Sequence, residues 1–286
     1  MPEGRSPTVR RRELGALLRA LRTGRNLTVE QVAASLLCSA SKVSRMETGH
    51  GLATPRDIRD LCDLYEVTSQ GERDHLLELA REGKRQGWWQ SYDLPYSTYV
   101  GLEADATATK YYQSTIIPGL LQTADYARAM HEVVIPRLAP ERIDELVEVR
   151  ITRQRRLTQD PLLDTSAVID EAALRRMVGG PLVMRTQLDW LVAMARRPNV
   201  TIQVIPYAAG AHPAMDSTFR ILEFANSIPA VVYVEGLVGW MYLHRPLDIS
   251  RYQDIFRSLC AIALSPQDSI GLIKRAIAEF ESVLIS

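Results

Sequence analysis

The stretch Leu27–Gly49, LTVEQVAASLLCSASKVSRMETG, decides the fold of the N-terminal part of the chain. Thr28 is typical of a helix N-cap, because Gln31 follows three residues later as in a capping box. A second short helix is predicted from Ser39, another N-cap candidate, to about Glu47. The apolar face of this second helix is narrow, and its other face is small, polar and basic. The stretch therefore predicts two short helices joined by a tight turn.

Three further helices are predicted around this pair. Arg12–Arg22 carries leucines at the i, i+3, i+4, i+7 spacing of an amphipathic helix. Thr54-Pro55 reads as a cap followed by a first-turn proline, and a fifth helix runs from about Ser69 to Lys84. We therefore predict a five-helix bundle over residues 1–86, followed by a second domain over residues 87–286.

Charge is distributed unevenly along a chain of zero formal net charge. The segment Met1–Arg56 contains ten basic and four acidic residues, so the rest of the chain carries an excess of six acids. A basic N-terminal part on an acidic body indicates contact with a polyanion.

The helical layout and the identities Ser39, Ser44, Glu47 and Gly49 resemble the Cro/repressor-type (Xre) helix-turn-helix family. The resemblance implies that the third helix enters the major groove of double-stranded DNA. It implies DNA contacts from Ala40, Ser41, Lys42 and Arg45 near the start of that helix, from Ser44 nearer the DNA backbone, and from Thr28 to a phosphate. It also implies an internal ion pair between Arg22 and Glu47.

Two further features of this region lead to predictions. Arg10, Arg11 and Arg12 are expected to contact phosphates just before the first helix. Leu37 occupies a turn position where the family usually has glycine and the backbone tends toward positive φ. A leucine in that conformation costs about 1 kcal/mol relative to glycine, so the turn is expected to be either strained or rebuilt.

The second domain is predicted to be α+β, with helices packed on a small antiparallel sheet. Helices are expected at Leu102–Tyr112, Thr123–Glu132, Glu141–Thr158 and Pro181–Arg196, with two more closing the chain. Ser166–Ile169 is strand-like. Four closely spaced strand candidates then predict an antiparallel meander: Val200–Ile205, Thr218–Phe224, Ala230–Glu235 and Gly239–Leu243.

Five aromatic residues are concentrated at the start of this domain: Trp88, Trp89, Tyr92, Tyr96 and Tyr99. Aromatic side chains at this density either line a pocket for a ligand or partner, or pack one domain against the next. Packing is the commoner role.

The order of segments resembles the actinobacterial WhiJ-type regulators, in which an Xre domain precedes a large domain of unassigned function. The matching segments are Gly87–Ala106, Ile117–Met130, Ile169–Arg176 and Val231–Gly239. The resemblance implies transcriptional control, often with a small BldB-like partner protein that would bind the C-terminal domain. We also expect a homodimer, because paired domains of this class read two half-sites.

Catalysis is not expected, because no HExxH, G-x-S-x-G, Walker or G-x-G-x-x-G motif occurs in the sequence. His212 is the most attractive single group for acid–base chemistry, and the candidate acids for a shared cleft are Glu103, Asp105, Asp170, Glu171 and Glu235. Each of these acids has a simpler explanation at a helix end or at the surface. A small-molecule-responsive repressor and an antitoxin-like component remain alternatives to a partner-sensing regulator.

Composition excludes other classes of protein. No apolar run approaches the ~20 residues of a membrane span, and no secretory signal is recognisable. The three cysteines, Cys38, Cys62 and Cys260, lie far apart and have no zinc-site spacing. We therefore expect a cytoplasmic protein with no metal and no cofactor.

Overall fold

The computed structural model describes residues 6–135, 137–225, 228–237 and 239–285. The chain divides into two compact units, the first over residues 1–105 with 226–228 and the second over the remaining residues. The first unit therefore ends at Asp105, whereas the sequence places the boundary at Gln86.

The first unit is helical, and its first five helices are the five that the sequence predicts. They are α1 (Pro7–Gly24), α2 (Val29–Ser35), α3 (Ala40–Glu47), α4 (Pro55–Leu64) and α5 (Gln70–Glu82), followed by a 3-10 turn (Trp88–Ser91) and α6 (Ser97–Glu103). Side chains at the predicted caps Ser39 and Thr54, and at Ser69, accept backbone N–H groups at the starts of α3, α4 and α5. One buried cluster holds the helices together, including Leu14, Leu18, Val32, Val43, Met46, Ile58, Leu61, Leu76 and Leu79.

Residues 87–105 belong to the first unit because their large side chains pack against α1. Trp89 and Tyr99 are buried. A Cβ on Gly101 would lie 2.4 Å from Oγ1 of Thr8 and 2.8 Å from the Trp89 ring, so α6 approaches α1 closely at this glycine. The contact extends the first unit past the predicted boundary. A side chain as large as tryptophan loses hydrophobic stabilisation when only half of it is buried.

The second unit is built on one six-stranded sheet. Its strands are β1 (Ala108–Gln113), β2 (Asp164–Asp170), β3 (Val200–Ile205), β4 (Phe219–Glu223), β5 (Val231–Gly236) and β6 (Gly239–Leu243), in the spatial order β3-β2-β1-β4-β5-β6. β1, β2 and β3 run parallel to one another, and the other neighbouring pairs are antiparallel. The helices are α7 (Ala124–Val134), α8 (Pro140–Gln154), α9 (Glu171–Arg175), α10 (Pro181–Met194), α11 (Pro246–Ile262) and α12 (Pro266–Ile285).

The α+β class is confirmed, with two corrections to the predicted elements. The predicted helix Leu102–Tyr112 is wrong, because only its first residues lie in α6 and its last five lie in β1. The predicted meander holds for β4, β5 and β6, but β3 pairs in parallel with β2 instead of antiparallel with β4. Both errors concern long-range strand pairing, which short apolar runs do not encode.

The sheet is buried on the face that α11 covers. Tyr112, Phe219 and Val232 from three different strands meet Phe256 and Leu259 of α11 in one cluster. No helix in the described part of the chain combines the length and apolarity that crossing a membrane requires.

Candidate nucleic-acid interface

The starts of α2 and α3 are fixed by side-chain caps. Thr28 Oγ1 accepts the Gln31 N–H at 3.2 Å, and Gln31 Oε1 accepts the Thr28 N–H at 2.8 Å. Ser39 Oγ accepts the Lys42 N–H at 3.2 Å. These bonds satisfy backbone donors that a helix start leaves free, so they set where each helix begins. The predicted capping box at Thr28 and the predicted cap at Ser39 are both confirmed.

Leu37 lies in the turn between α2 and α3 with φ at +51° and its side chain 94% exposed. The positive φ expected from the family resemblance is therefore present, although the residue is not glycine. The side chain gains almost no burial to offset the cost of the left-handed conformation. The turn is strained rather than rebuilt.

The third helix turns its two apolar residues inward and its polar residues outward. Val43 and Met46 are buried in the core of the first unit. The outward residues are Ser41, Lys42, Ser44 and Arg45, which are exposed, and Ala40, which is half-buried. The helix therefore presents a small polar surface, consistent with the predicted set of DNA-contacting residues. Contact of these residues with DNA stays a prediction, as does the phosphate contact of the exposed Thr28.

The two cations of this surface differ in their surroundings. Lys42 Nζ lies 2.6 Å from Asp57 Oδ1 on α4. The hydrogen bond to Asp57 raises the pKa of Lys42, against the opposing effect of burial. The Arg45 guanidinium has no hydrogen bond or ion pair with any residue that the structure describes. Arg45 is therefore available for bidentate pairing with a base edge.

Arg22 and Glu47 form the internal ion pair that the resemblance implies. Arg22 Nε and Nη2 donate to the two carboxylate oxygens of Glu47 at 2.6 and 2.9 Å, and Arg22 Nη1 donates to the Leu27 carbonyl at 2.7 Å. The prediction is confirmed, and these residues serve the architecture of the unit.

The arginine cluster at the start of α1 is held by the protein itself. Arg10 pairs with Glu13 at 3.0 Å and with Glu82 at 2.6 Å. Arg11 Nε donates to the Pro7 carbonyl at 3.2 Å. Burial lowers the pKa of Arg12 to about 10. The phosphate contacts expected of these three arginines stay predictions, and the structure also gives Arg10 and Arg11 intramolecular partners.

The five aromatic residues at the end of the first unit have different surroundings. Trp89 and Tyr99 are buried, and the Tyr99 hydroxyl donates to Glu103. Trp88 is exposed and makes edge contacts with the Trp89 and Tyr92 rings at centroid distances of 6.0 and 6.2 Å. Of the five, only Tyr92 lines a cleft of the first unit, of about 560 Å³. Burial of Trp89 and Tyr99 favours the packing role, and a ligand role for the cluster stays a prediction.

The candidate acid–base groups include one tight cluster in the second unit. His212 Nε2 lies 3.1 Å from the Tyr112 hydroxyl and 3.7 Å from Asp170 Oδ2, while His212 Nδ1 accepts the Ala214 N–H at 3.3 Å. The His212 side chain is only 4% exposed, so the cluster fastens its loop over the ends of β1 and β2.

The other candidate acids have structural partners of their own. Glu171 binds Arg175 and accepts the Tyr207 N–H. Glu235 pairs with Arg220, and Glu103 and Asp105 lie in the first unit. Within the described ranges, no group of three or more histidine, cysteine or carboxylate side chains is arranged to hold a metal ion.

A surface cleft of about 640 Å³ lies in the second unit, at the end of the sheet where β5 meets β6. Its lining includes the apolar side chains of Met215, Val234, Trp240 and Met241 beside the carboxylates of Asp216 and Glu235. Trp240 is 40% exposed, and both methionines are exposed. Neither the cleft nor the Lys42–Asp57 pair was predicted. The one sequence signal for Asp57 was its place three residues after the predicted cap Thr54, because a capping box at that spacing fixes the Asp57 carboxylate.

Two protein-family models match successive parts of the chain. A model described as a helix-turn-helix domain matches residues 13–76. A model described as a domain of unknown function, DUF5753, matches residues 96–275. No curated protein and no solved structure matches the chain. The N-terminal match identifies α2 and α3 as part of a helix-turn-helix domain. The second match names a family to which no function is attached.

Proposed function

The chain belongs to the DUF5753 family, and because a helix-turn-helix domain precedes that domain, we propose that it is a sequence-specific DNA-binding transcriptional regulator and not an enzyme. The observation that carries the proposal is the outer face of α3, where an unengaged Arg45 guanidinium lies among Ser41 and Ser44. Serine hydroxyls and an arginine fork are groups that read base edges and phosphates. Such a protein acts in the compartment that holds the chromosome, in agreement with the cytoplasmic expectation.

For the second unit, the proposal is dimerisation and recognition of a partner protein. A single helix-turn-helix domain buries little surface on DNA, and two of them on a two-fold site read half-sites one turn apart. Support for a protein partner comes from the cleft at the end of β5 and β6, where exposed Met215 and Met241 flank Trp240. An exposed aromatic anchor with flexible methionines is typical of protein-binding surfaces. The resemblance to WhiJ-type regulators, and to their small BldB-like partners, points the same way.

The alternative is a small-molecule-responsive repressor. The same cleft favours it in one respect, because about 640 Å³ falls within the range of ligand pockets. Its Asp216 carboxylate would favour a cationic ligand, whereas Glu235 already pairs with Arg220. An effector of either kind acts only if it binds the DNA-competent and incompetent states with different affinities.

Enrichment of genomic DNA fragments by the purified full-length protein tests the proposal. We expect a shared motif with two related half-sites, retained by a fragment that ends at Asp105 but with weaker binding. A motif found only with the full-length protein would mean that the second unit holds two DNA-binding domains together. Enrichment without any motif, or none at all, would contradict sequence-specific regulation.

A further inference from the structure

Asp57 is held in one orientation at the start of α4. Its Oδ2 accepts the Thr54 N–H at 2.8 Å and the Thr54 hydroxyl at 2.7 Å, so the capping box uses one carboxylate oxygen. The other oxygen, Oδ1, is thereby directed at Lys42 Nζ, 2.6 Å away on α3. The position at a helix N-terminus also favours a negative charge.

Both members of the pair are charged at neutral pH. Burial acts to raise the pKa of Asp57, but hydrogen bonds from Lys42 and Thr54 outweigh it and lower that pKa. The Lys42 pKa is raised, so its ammonium also stays ionised. The Asp57 side chain is only 12% exposed, and it therefore places a fixed negative charge directly behind a cation of the outer α3 surface.

We propose that Asp57 cancels the charge of Lys42 on the DNA-facing helix, so that Arg45 is the α3 cation on which attraction to phosphates and bases depends. This inference rests on the proposed function, since it assigns roles within the same surface. A cation that already faces a carboxylate releases few counterions when it approaches DNA, and it adds little to the salt-dependent part of binding. Asp57 is thus a positioning residue that limits sequence-independent attraction and leaves recognition to Arg45.

Salt dependence of binding measures this directly. Full-length protein is titrated with a random-sequence duplex of about 30 base pairs over about 50 to 300 mM KCl, and the slope of log K against log salt is compared between variants. Lys42→Ala alone would leave the Asp57 carboxylate unpaired beside the DNA, so the contribution of Lys42 is measured in the double variant Lys42→Ala/Asp57→Asn. That variant should keep the slope of the unaltered protein, because the pair that it removes contributes no net charge. Asp57→Asn, which keeps a capping side chain, should steepen the slope by about 0.9 because it frees one cation.

The double variant isolates the coupling between the two residues. Lys42→Ala in the Asp57→Asn background should abolish the added slope, which a merely weakened α4 cap would not do. Asp74→Asn on α5 is the control, because it removes the same charge from the first unit at an exposed carboxylate whose hydrogen-bond partner is the Gln70 amide, 2.9 Å away. Its slope should stay close to that of the unaltered protein.

Three results would overturn the inference: a slope reduced by about 0.9 in the double variant relative to the unaltered protein, equal effects of Asp57→Asn and Asp74→Asn, or a gain that persists without Lys42. If Asp57→Asn does not fold, Asp57→Ser takes its place in the single and the double variant, since serine also accepts a backbone N–H at a helix start. Failure of the unaltered protein to bind any duplex would instead contradict the proposed function, and the inference with it.

Discussion

Arg22 and Glu47 form a two-pronged ion pair inside the first unit, and their side chains are only 11% and 6% exposed. The pair joins α1 to the end of α3, so it fixes the position of α3 in the unit. Removing one member leaves a largely buried charge without its partner. We expect Glu47→Ala to lower the free energy of unfolding of the first unit by about 3 kcal/mol, measured by urea denaturation.

The control for this substitution is Glu78→Ala, which removes a carboxylate from an exposed pair with Arg81. Exposed pairs contribute less than about 1 kcal/mol. A loss at Glu47 no larger than the loss at Glu78 would show that the Arg22–Glu47 pair does not stabilise the unit.

Leu37→Gly should raise stability, because Leu37 has a φ of +51° and an almost fully exposed side chain. Glycine adopts this conformation without a Cβ clash, and the expected gain is about 1 kcal/mol. Leu52→Gly is the comparison, since Leu52 is also exposed but has no positive φ. There, added freedom of the unfolded chain should lower the melting temperature. An unchanged or lower melting temperature for Leu37→Gly would contradict strain in the turn.

Arg45→Ala should relax the base preference of the protein more than it lowers its overall affinity. A bidentate arginine contributes about 1–3 kcal/mol of discrimination between bases. Arg45→Lys keeps the positive charge and loses the planar guanidinium. It therefore separates base recognition from electrostatic attraction to DNA. Selection from a random duplex library should give both variants a degenerate position that the unaltered protein specifies. An identical selected motif in Arg45→Ala would exclude Arg45 from base recognition.

The surroundings of His131 predict that acid lowers the free energy of unfolding of the second unit. Burial, together with the neighbouring Arg150 and Arg153, lowers the pKa of His131 to about 4, below its ordinary value of 6.5. The unfolded state therefore binds the proton first as pH falls. The contribution of neutral His131 is complete above about pH 6.5 and is lost progressively toward pH 4, with a loss of about 2 kcal/mol by pH 5.

Urea denaturation between pH 7.5 and 5 measures this loss. His131→Gln removes the titrating group, so its unfolding free energy should depend less on pH over this range. The exposed residue His75 on α5 provides the control, because His75→Gln makes the same substitution at a histidine outside the second unit. Equal pH dependence in the unaltered protein and in His131→Gln would contradict this assignment.

Local sequence was sufficient for the first five helices. Helix starts at Thr28, Ser39 and Thr54 depend on side chains bonding to backbone groups two or three residues away, which a linear pattern contains. The positive φ at Leu37 and the Arg22–Glu47 pair were also predictable, but only through resemblance to a known helix-turn-helix layout. The helix starts depend on short sequence separations, and the other two features depend on the fixed geometry of the family.

The second unit and the charge balance of α3 were decided by tertiary structure. β1 was predicted as a helix and became a central strand because β2 and β4 pair with it from distant parts of the chain. Asp57 reaches Lys42 across 15 positions because the packing of α4 against the bundle brings its capped N-terminus to α3. Sequence by itself determined where helices begin and which faces are apolar, because those depend on neighbouring residues. Strand partners and the surroundings of a surface charge depend on which distant segments the folded chain brings together.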